Sequence, residues 1–382
     1  MVNAHGDPSL GGAEKHLHEL ASALAADGHR VDLFQAFPDA ARGPFAGRDV
    51  LHRADWRTSE LRRLRNRLDD VLSLPLRRFR AVIAARSPDV VHTHNLPGFG
   101  TGIWEACRRL RVPVVHTIHD YYLLCPRVTL VRRDGEPCRP GPLLCGLRTR
   151  RLARFGAAVG DVVGVSQHIL DRHEHLFPAA RRHVIRNRVA AGPDVASAPP
   201  GDRLRTIGYI GSLDHVKGVH VVLEAAPDLR RRGCAVVVAG GGRLRPEVEA
   251  AAERGDVRFL GQVAGRQKRA FFELCDLGVV PSVWEEPGGP TYTMAEWLSS
   301  GRPLAVSPRG GLGEVIDDLP GAFAVEPTAT ALVAAVDRLL DPAEWRRAVA
   351  AVRPPATGSP RDWLEAYLGV YELAVGSGSG WR

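Results

Sequence analysis

Two adjacent carboxylates, Glu285 and Glu286, carry the clearest chemistry in this chain of 382 residues. They lie between an apolar run, Leu277 to Val280, and a loop of Pro287, Gly288, Gly289 and Pro290. The run is bounded by Pro281 and Ser282 and reads as a buried strand. A helix is expected to start near Thr291, with Met294, Ala295 and Leu298 on its buried face, Gly301 as its stop and Arg302 in its last turn. Strand, glycine loop and helix start together make an anion site. The free N–H groups around Thr291, Tyr292 and Thr293 and the positive end of the helix dipole face one spot. Such an end contributes about 0.3–1 kcal/mol in the open and up to ~2 kcal/mol when partly buried. Glutamates beside a phosphate are better suited to accept hydrogen bonds from hydroxyls. A ligand that offers both groups is a nucleotide or a nucleotide sugar.

The same stretch, from Pro281-Ser282 through Trp284-Glu285-Glu286-Pro287 to Glu296, Gly301-Arg302-Pro303 and Gly310-Gly311, resembles the donor-site signature of the retaining glycosyltransferases of family 4. The resemblance covers nearly the whole chain and is strongest in its C-terminal half. In that family one glutamate contacts the donor sugar and a second, on the following helix, grips the ribose. The second maps onto Glu296. The family spacing would put the first at Gly288, so this loop carries extra residues and the sugar contact falls to Glu286, with Glu285 as the rival. Gly288, Gly289, Thr291, Tyr292 and Thr293 are then donor-binding. Upstream, Gly211-Ser212-Leu213-Asp214-His215-Val216-Lys217-Gly218 resembles the loop in which an arginine and a lysine clamp the diphosphate. Lys217 matches. Ser212 stands where the arginine is expected, which implies donor binding weaker by about ten- to a hundredfold, unless His215 or Arg243 compensates.

Further matches extend the set. His116-Thr117-Ile118-His119-Asp120-Tyr121-Tyr122 resembles the N-domain active-site loop of the family, and its sugar-side histidine maps onto His119. Asn95, Asp120 and Tyr121 are expected on the acceptor side. Gly11 and Gly12 would let backbone approach the donor closely. Asn187 matches the family's asparagine at the domain junction, and Gly241 and Val263 complete the donor side, the loop at Val263 lying along the base. The resemblance implies transfer from a nucleoside-diphosphate sugar to an acceptor hydroxyl with retention. Lys217, Glu286 and His119 are the expected catalytic residues. No cofactor and no metal are expected, since a lysine and a helix start supply the positive field.

These residues need a scaffold that presents loops at strand ends. The resemblance implies a GT-B architecture: α/β, with two Rossmann-like doubly wound parallel-sheet domains facing a central cleft and a C-terminal helix crossing back. The acceptor-binding domain is expected over 1–189, with 361–382 packed onto it, and the nucleotide-sugar domain over 203–360. The linker Ala190 to Asp202, rich in Ala, Pro and Gly, separates them. In the first domain the expected elements are a helix from Gly12 with Ala13, Leu17, Leu20 and Leu24 inward, then strands at Val31 to Phe37, Asp89 to Thr93, Val112 to His116, Asp161 to Val165 and Val184 to Asn187. Only Met1, Val2 and Asn3 remain for a first strand that should be central, so either the true start lies upstream or the domain is compromised. The second domain repeats the pattern, with strands at Thr206 to Ile210, Ala235 to Ala239, Val257 to Leu260, Leu277 to Val280 and Leu304 to Val306.

Composition sets the outer bounds. Six cysteines without tight pairing fit a reducing compartment. Cys125, Cys138 and Cys145 are too widely spaced for a strong zinc signal, and buried thiols are the default. They fall in 123–150, an irregular stretch expected to shape the acceptor site. No apolar run nears the ~20 residues of a membrane span, and no signal peptide is visible, so the expected location is cytoplasmic, peripheral to the inner membrane face at most. The net charge of +8 allows contact with an anionic membrane surface, for which the arginine-rich segment 57–86, with Leu61, Leu64, Leu68, Val71 and Leu72 inward, is the candidate. Nucleic acid is not expected, since neither stacking aromatics nor a helix-turn-helix pattern is present. Acceptors of carbohydrate, lipid-linked or small-metabolite type all fit. Two rivals stay open: a sugar-nucleotide epimerase, and a non-catalytic partner protein, which Ser212 and the shifted glutamate spacing favour.

Overall fold

The computed structural model describes residues 1–4, 11–35, 49–50, 76–132, 136–138, 143–189, 200–355 and 359–377. The chain divides into two compact units. One holds Met1–Leu130, Cys138–Arg188 and Gly358–Arg382; the other holds Val131–Pro137 and Val189–Thr357.

The first unit is built on strands β1 (Val2–Asn3), β2 (Phe34–Gln35), β3 (Asp49–Val50), β4 (Val91–Thr93), β5 (Val114–Ile118), β6 (Asp161–Gly164) and β7 (Arg181–Val184). They form one parallel sheet in the order β3-β2-β1-β4-β5-β6-β7. The order reverses between β1 and β4, and ligands of open α/β sheets bind at the strand C-termini beside such a reversal. The first helix, Gly12–Ala26, buries Leu17, Leu20 and Leu24. The last, Pro360–Ser377, also belongs to this unit: Trp363, Leu364, Tyr367 and Val370 pack with Leu20, Leu24, Val115 and Val163 in one core. The chain end therefore returns to the first sheet.

The second unit is built on β8 (Thr206–Ile210), β9 (Ala235–Ala239), β10 (Arg258–Phe259), β11 (Leu277–Val280), β12 (Leu304–Val306) and β13 (Ala322–Ala324). Its parallel sheet runs β10-β9-β8-β11-β12-β13, reversing between β8 and β11. Both faces are covered, as a parallel sheet requires. Successive residues of β9 alternate between them: Val236 and Val238 join the core under helices Val219–Arg231 and Ala329–Leu339, while Val237 and Ala239 join Phe271, Met294 and Trp297 on the other side. Two parallel-sheet α/β units of this order make a GT-B fold.

Several expected elements differ in extent. The strand expected at Val184 to Asn187 lies earlier, at Arg181–Val184. It is an edge strand of charged residues, so the apolar run that flagged it falls beside it. Its registry is fixed by Arg181 Nε and Nη2, at 2.8 and 2.7 Å from the two oxygens of the buried Asp161, and by His183 Nε2 at 2.8 Å. Within the stretch 123–150, read as irregular, a helix spans Leu143–Ala153. Arg302 is not in the last turn of a helix. It follows the helix Tyr292–Ser299, is fully buried, and donates to the carbonyls of Cys275 and Ser300. The leucine stripe at Leu61, Leu64, Leu68, Val71 and Leu72 and the linker residues 190–199 lie outside the described residues.

Candidate functional site

In the second unit the two loops at the sheet reversal, 211–218 after β8 and 281–291 after β11, carry the expected donor-side residues. The first ends in a single 3-10 turn, His215–Lys217, closed by Gly218 at φ 75. Only glycine fits there: a Cβ would stand 1.8 Å from the Pro281 carbonyl oxygen. The loops are also joined by the bond from Val283 N to Val216 O, 3.0 Å. This pairing aims Lys217 at the second loop. Its Nζ lies 2.7 Å from Glu286 Oε1 and 5.2 Å from the Trp284 ring centre. Ser282 Oγ donates to the same Oε1 at 2.7 Å. Glu286 is buried, and its backbone is pinned by Gly311 N, 2.7 Å from its carbonyl. Its Oε2 has no protein partner among the described residues. The structure thus brings Glu286 to Lys217. Glu285 is half-buried and has a partner of its own.

The helix Tyr292–Ser299 follows, capped by Thr291, whose Oγ1 accepts from Met294 N at 3.3 Å. Thr291, Tyr292 and Thr293 are half-buried at its start. Gly288 and Gly289 are explained by packing: their backbone lies against Gly311 and Val315. One turn into the helix, Glu296 Oε1 accepts from Lys268 Nζ at 2.5 Å, across from the helix Arg266–Leu274. Lysine is scarce here, and two of the chain's three copies hold the two glutamates. The third, Lys15, lies in the first helix. The Lys268–Glu296 pairing was not legible, because nothing in the helical spacing of Lys268 separates it from a solvated face. Gly241 and Val263 lie beyond the C-terminal ends of β9 and β10, with Gln262 packed on Gly241. Ser212 Oγ donates to Asp214 Oδ2 at 2.5 Å, and Asp214 Oδ1 accepts from Arg243 Nε at 2.7 Å.

In the first unit His119 follows β5 and belongs to a histidine cluster that sequence reading missed. His119 Nε2 lies 3.0 Å from His94 Nδ1, and the two rings stack with centres 5.3 Å apart. The His16 ring stands 5.0 Å from that of His119, and its Nε2 bonds Tyr367 Oη at 3.0 Å. His92 is fixed between Tyr371 Oη and Thr117 Oγ1, both at 2.7 Å. The legible signal was the alternation His92-Thr93-His94, which puts both rings on one side of β4 and its extension. A small pocket beside the cluster is lined by His94, Asn95, His119 and Asp120, together with Tyr122. Tyr121, expected on the acceptor side, is fully buried, with its Oη 3.1 Å from His168 Nε2. Its neighbour Tyr122 lines the pocket. Asp120 is half-buried; burial pushes its carboxyl up to about 6, against the Tyr122 N–H that it accepts at 2.7 Å. Asn187 lies against His16. Gly11 and Gly12 stand at the start of the first helix.

Burial holds these imidazoles neutral. It lowers His16 to about 4, with the nearby Asn187 amide acting weakly in the opposite direction, and His116 to about 3, while His92, His94 and His119 fall well below the ordinary value. Neutral imidazole is the ligand form for a transition metal, and the ring nitrogens of His16, His94 and His119 lie within 4.8 Å of one another. The His94–His119 hydrogen bond already satisfies one nitrogen of each ring. The stability consequence has a definite sign. The folded values are below the unfolded 6.5, so the unfolded chain binds more protons between the two. Stability is complete above pH 6.5 and is lost as pH falls toward 4, by about 1.4 kcal/mol per pH unit for each such histidine. The melting temperature is expected to fall steeply from pH 6.5 to 4.5, and less steeply in His16→Asn. A melting temperature that is flat over that range would contradict the cluster's buried neutral state.

Comparison with known proteins places this geometry. The family model described as Glycosyltransferase Family 4 matches residues 10–190, and that described as Glycosyl transferases group 1 matches 204–342. The α-D-kanosaminyltransferase of Streptomyces kanamyceticus is 30% identical over 72% of this chain and 72% of its own length. A glycogen synthase of Mycobacterium tuberculosis is 29% identical over 93% of this chain and 88% of its own. An Anabaena protein solved in complex with UDP and glucose superposes with a TM-score of 0.61 at 18% identity, covering 97% of each chain. No helix among the described residues is long and apolar enough to cross a membrane.

Proposed function

The chain belongs to the family 4, group 1 glycosyltransferases, and from that premise we propose that it moves a sugar from a nucleoside-diphosphate sugar to an acceptor hydroxyl with retention of configuration. The observation that carries the reading is the Lys217–Glu286 pair at the sheet reversal of the second unit, where one loop offers a cation and the next a buried carboxylate. Nucleotide-sugar chemistry needs both. Lys217 and the N–H groups at the start of the helix Tyr292–Ser299 face the charge that develops on the departing diphosphate. Glu286 Oε2 accepts a hydrogen bond from a hydroxyl of the donor sugar. Glu296 accepts from the ribose. His119, neutral, donates to the transferred sugar from the first unit.

In the reaction the bond between the anomeric carbon and the phosphate oxygen breaks. The acceptor oxygen bonds to the same face of that carbon. The acceptor's proton leaves with the departing diphosphate, which takes the electron pair. The positive field comes from the protein, so no metal is assigned a role. The donor nucleotide is expected to be UDP or GDP, and the likeness to a protein solved with UDP and glucose supports UDP. Cytoplasmic location fits such donors, and carbohydrate, lipid-linked and small-metabolite acceptors all fit.

The test is turnover of a donor panel with acceptor mixtures, followed by proton NMR of the product. The reading expects acceptor-dependent release of nucleoside diphosphate and the donor's own anomeric configuration in the product. Inversion would remove the retaining mechanism. Conversion of donor without acceptor would point to an epimerase instead.

A further inference from the structure

A diphosphate carries more negative charge than one lysine neutralises, and Lys217 is already paired with Glu286. The loop 211–218 holds no arginine, and its other basic ring, His215, turns to His220, with centres 4.0 Å apart. The neighbouring loop, after β9, supplies what is missing. The two loops are sewn together by backbone. Leu213 N donates to Gly241 O at 3.0 Å, and Leu244 N donates to Leu213 O at 2.8 Å. A Cβ at Gly240 would stand 1.8 Å from the Gly211 carbonyl oxygen, so no other residue permits this approach. Arg243 leaves that junction and is held by Asp214, whose second oxygen accepts a hydrogen bond from Ser212 Oγ. One carboxylate thus fixes the guanidinium beside the serine. Only Nε is used, and the four Nη hydrogens have no acceptor among the described residues. The Arg243 side chain is 77% exposed, whereas Asp214 is 24% exposed, so the cation and not the acid faces solvent. Burial pushes the Asp214 carboxyl up, but the bonds from Ser212 and Arg243 outweigh it and hold it below the ordinary range.

We infer that Arg243 is the second diphosphate-binding cation of the donor site, delivered from the loop after β9 and aimed by Asp214, in a chain whose first glycine loop offers serine at position 212. The inference rests on the reading of the second unit as a nucleotide-sugar site. Arg243 binds the phosphate oxygens through its Nη groups while Nε stays on Asp214. Asp214 is a positioning residue and Ser212 orients it.

The experiment is calorimetry of the full chain at fixed ionic strength with UDP, ADP and GDP, and with uridine, adenosine and guanosine as controls. Arg243→Gln is expected to weaken the diphosphate that binds by about tenfold or more, with the matching nucleoside unchanged. Adding Ser212→Arg to Arg243→Gln is expected to return most of the lost affinity, which a structural role for Arg243 would not allow. An unchanged ratio of diphosphate to nucleoside affinity in Arg243→Gln overturns the inference. So does an equal loss for both ligands, or no recovery in the double variant. If the parent chain binds diphosphate and only the Arg243 effect is absent, the donor-site reading stands alone. If the parent binds none of the three, both fall.

Discussion

Glu286→Gln is expected to lower kcat by about a hundredfold or more while nucleoside diphosphate binding stays the same or tightens. The two effects separate because the proposed reaction gives Glu286 a role at the sugar while the structure pairs it with Lys217. The amide keeps the shape of the carboxylate in its buried slot, so Ser282 and the Gly311 contact are preserved. What goes is a full negative charge beside the donor sugar, where positive character develops as the phosphate departs. What also goes is the counter-ion of Lys217, 2.7 Å away, which leaves that ammonium freer to meet phosphate. A purely structural ion pair predicts the reverse: a lower melting temperature, with kcat scaling only with the folded fraction. Steady-state kinetics, calorimetry and melting measured on one preparation separate the two.

Lys217→Ala is expected to damage binding and rate together, with kcat/KM down by about a hundredfold or more. A charge-assisted hydrogen bond is worth about 1.5–3 kcal/mol, and its contribution grows as the leaving oxygen takes up charge. The variant also leaves Glu286 with Ser282 as its remaining partner, so the carboxylate repels an incoming diphosphate. Lys217→Arg is a poor rescue. The planar fork is longer, and the Trp284 ring stands 5.2 Å from the ammonium. A Lys217→Ala enzyme with the parent's KM and kcat would remove this residue from the site.

The second unit was legible because its chemistry is written locally. Strand, glycine loop and helix start follow one another within a few residues, so Lys217, Thr291 and Glu296 were placed by punctuation and by family resemblance. Loop spacing favoured Glu286 over its rival Glu285 without showing which way either side chain turns. Adjacent residues differ only in which way they turn, and that is set by the contact of Gly310 and Gly311 with the loop. The histidine cluster was hidden for a different reason. His16, His94 and His119 lie on or just past three separate elements, and only His119 was singled out, by its resemblance to the family loop. The edge strand Arg181–Val184 escaped because its partner is a buried carboxylate rather than an apolar face.

The most direct test is a calorimetric titration of the purified chain with UDP, ADP and GDP and with their sugar conjugates. The account predicts saturable binding of at least one nucleoside diphosphate, lost or strongly weakened in Lys217→Ala and retained in His119→Ala. No binding by any of them, from a protein shown to be folded, would contradict the donor site and favour a non-catalytic partner role for this member of the family.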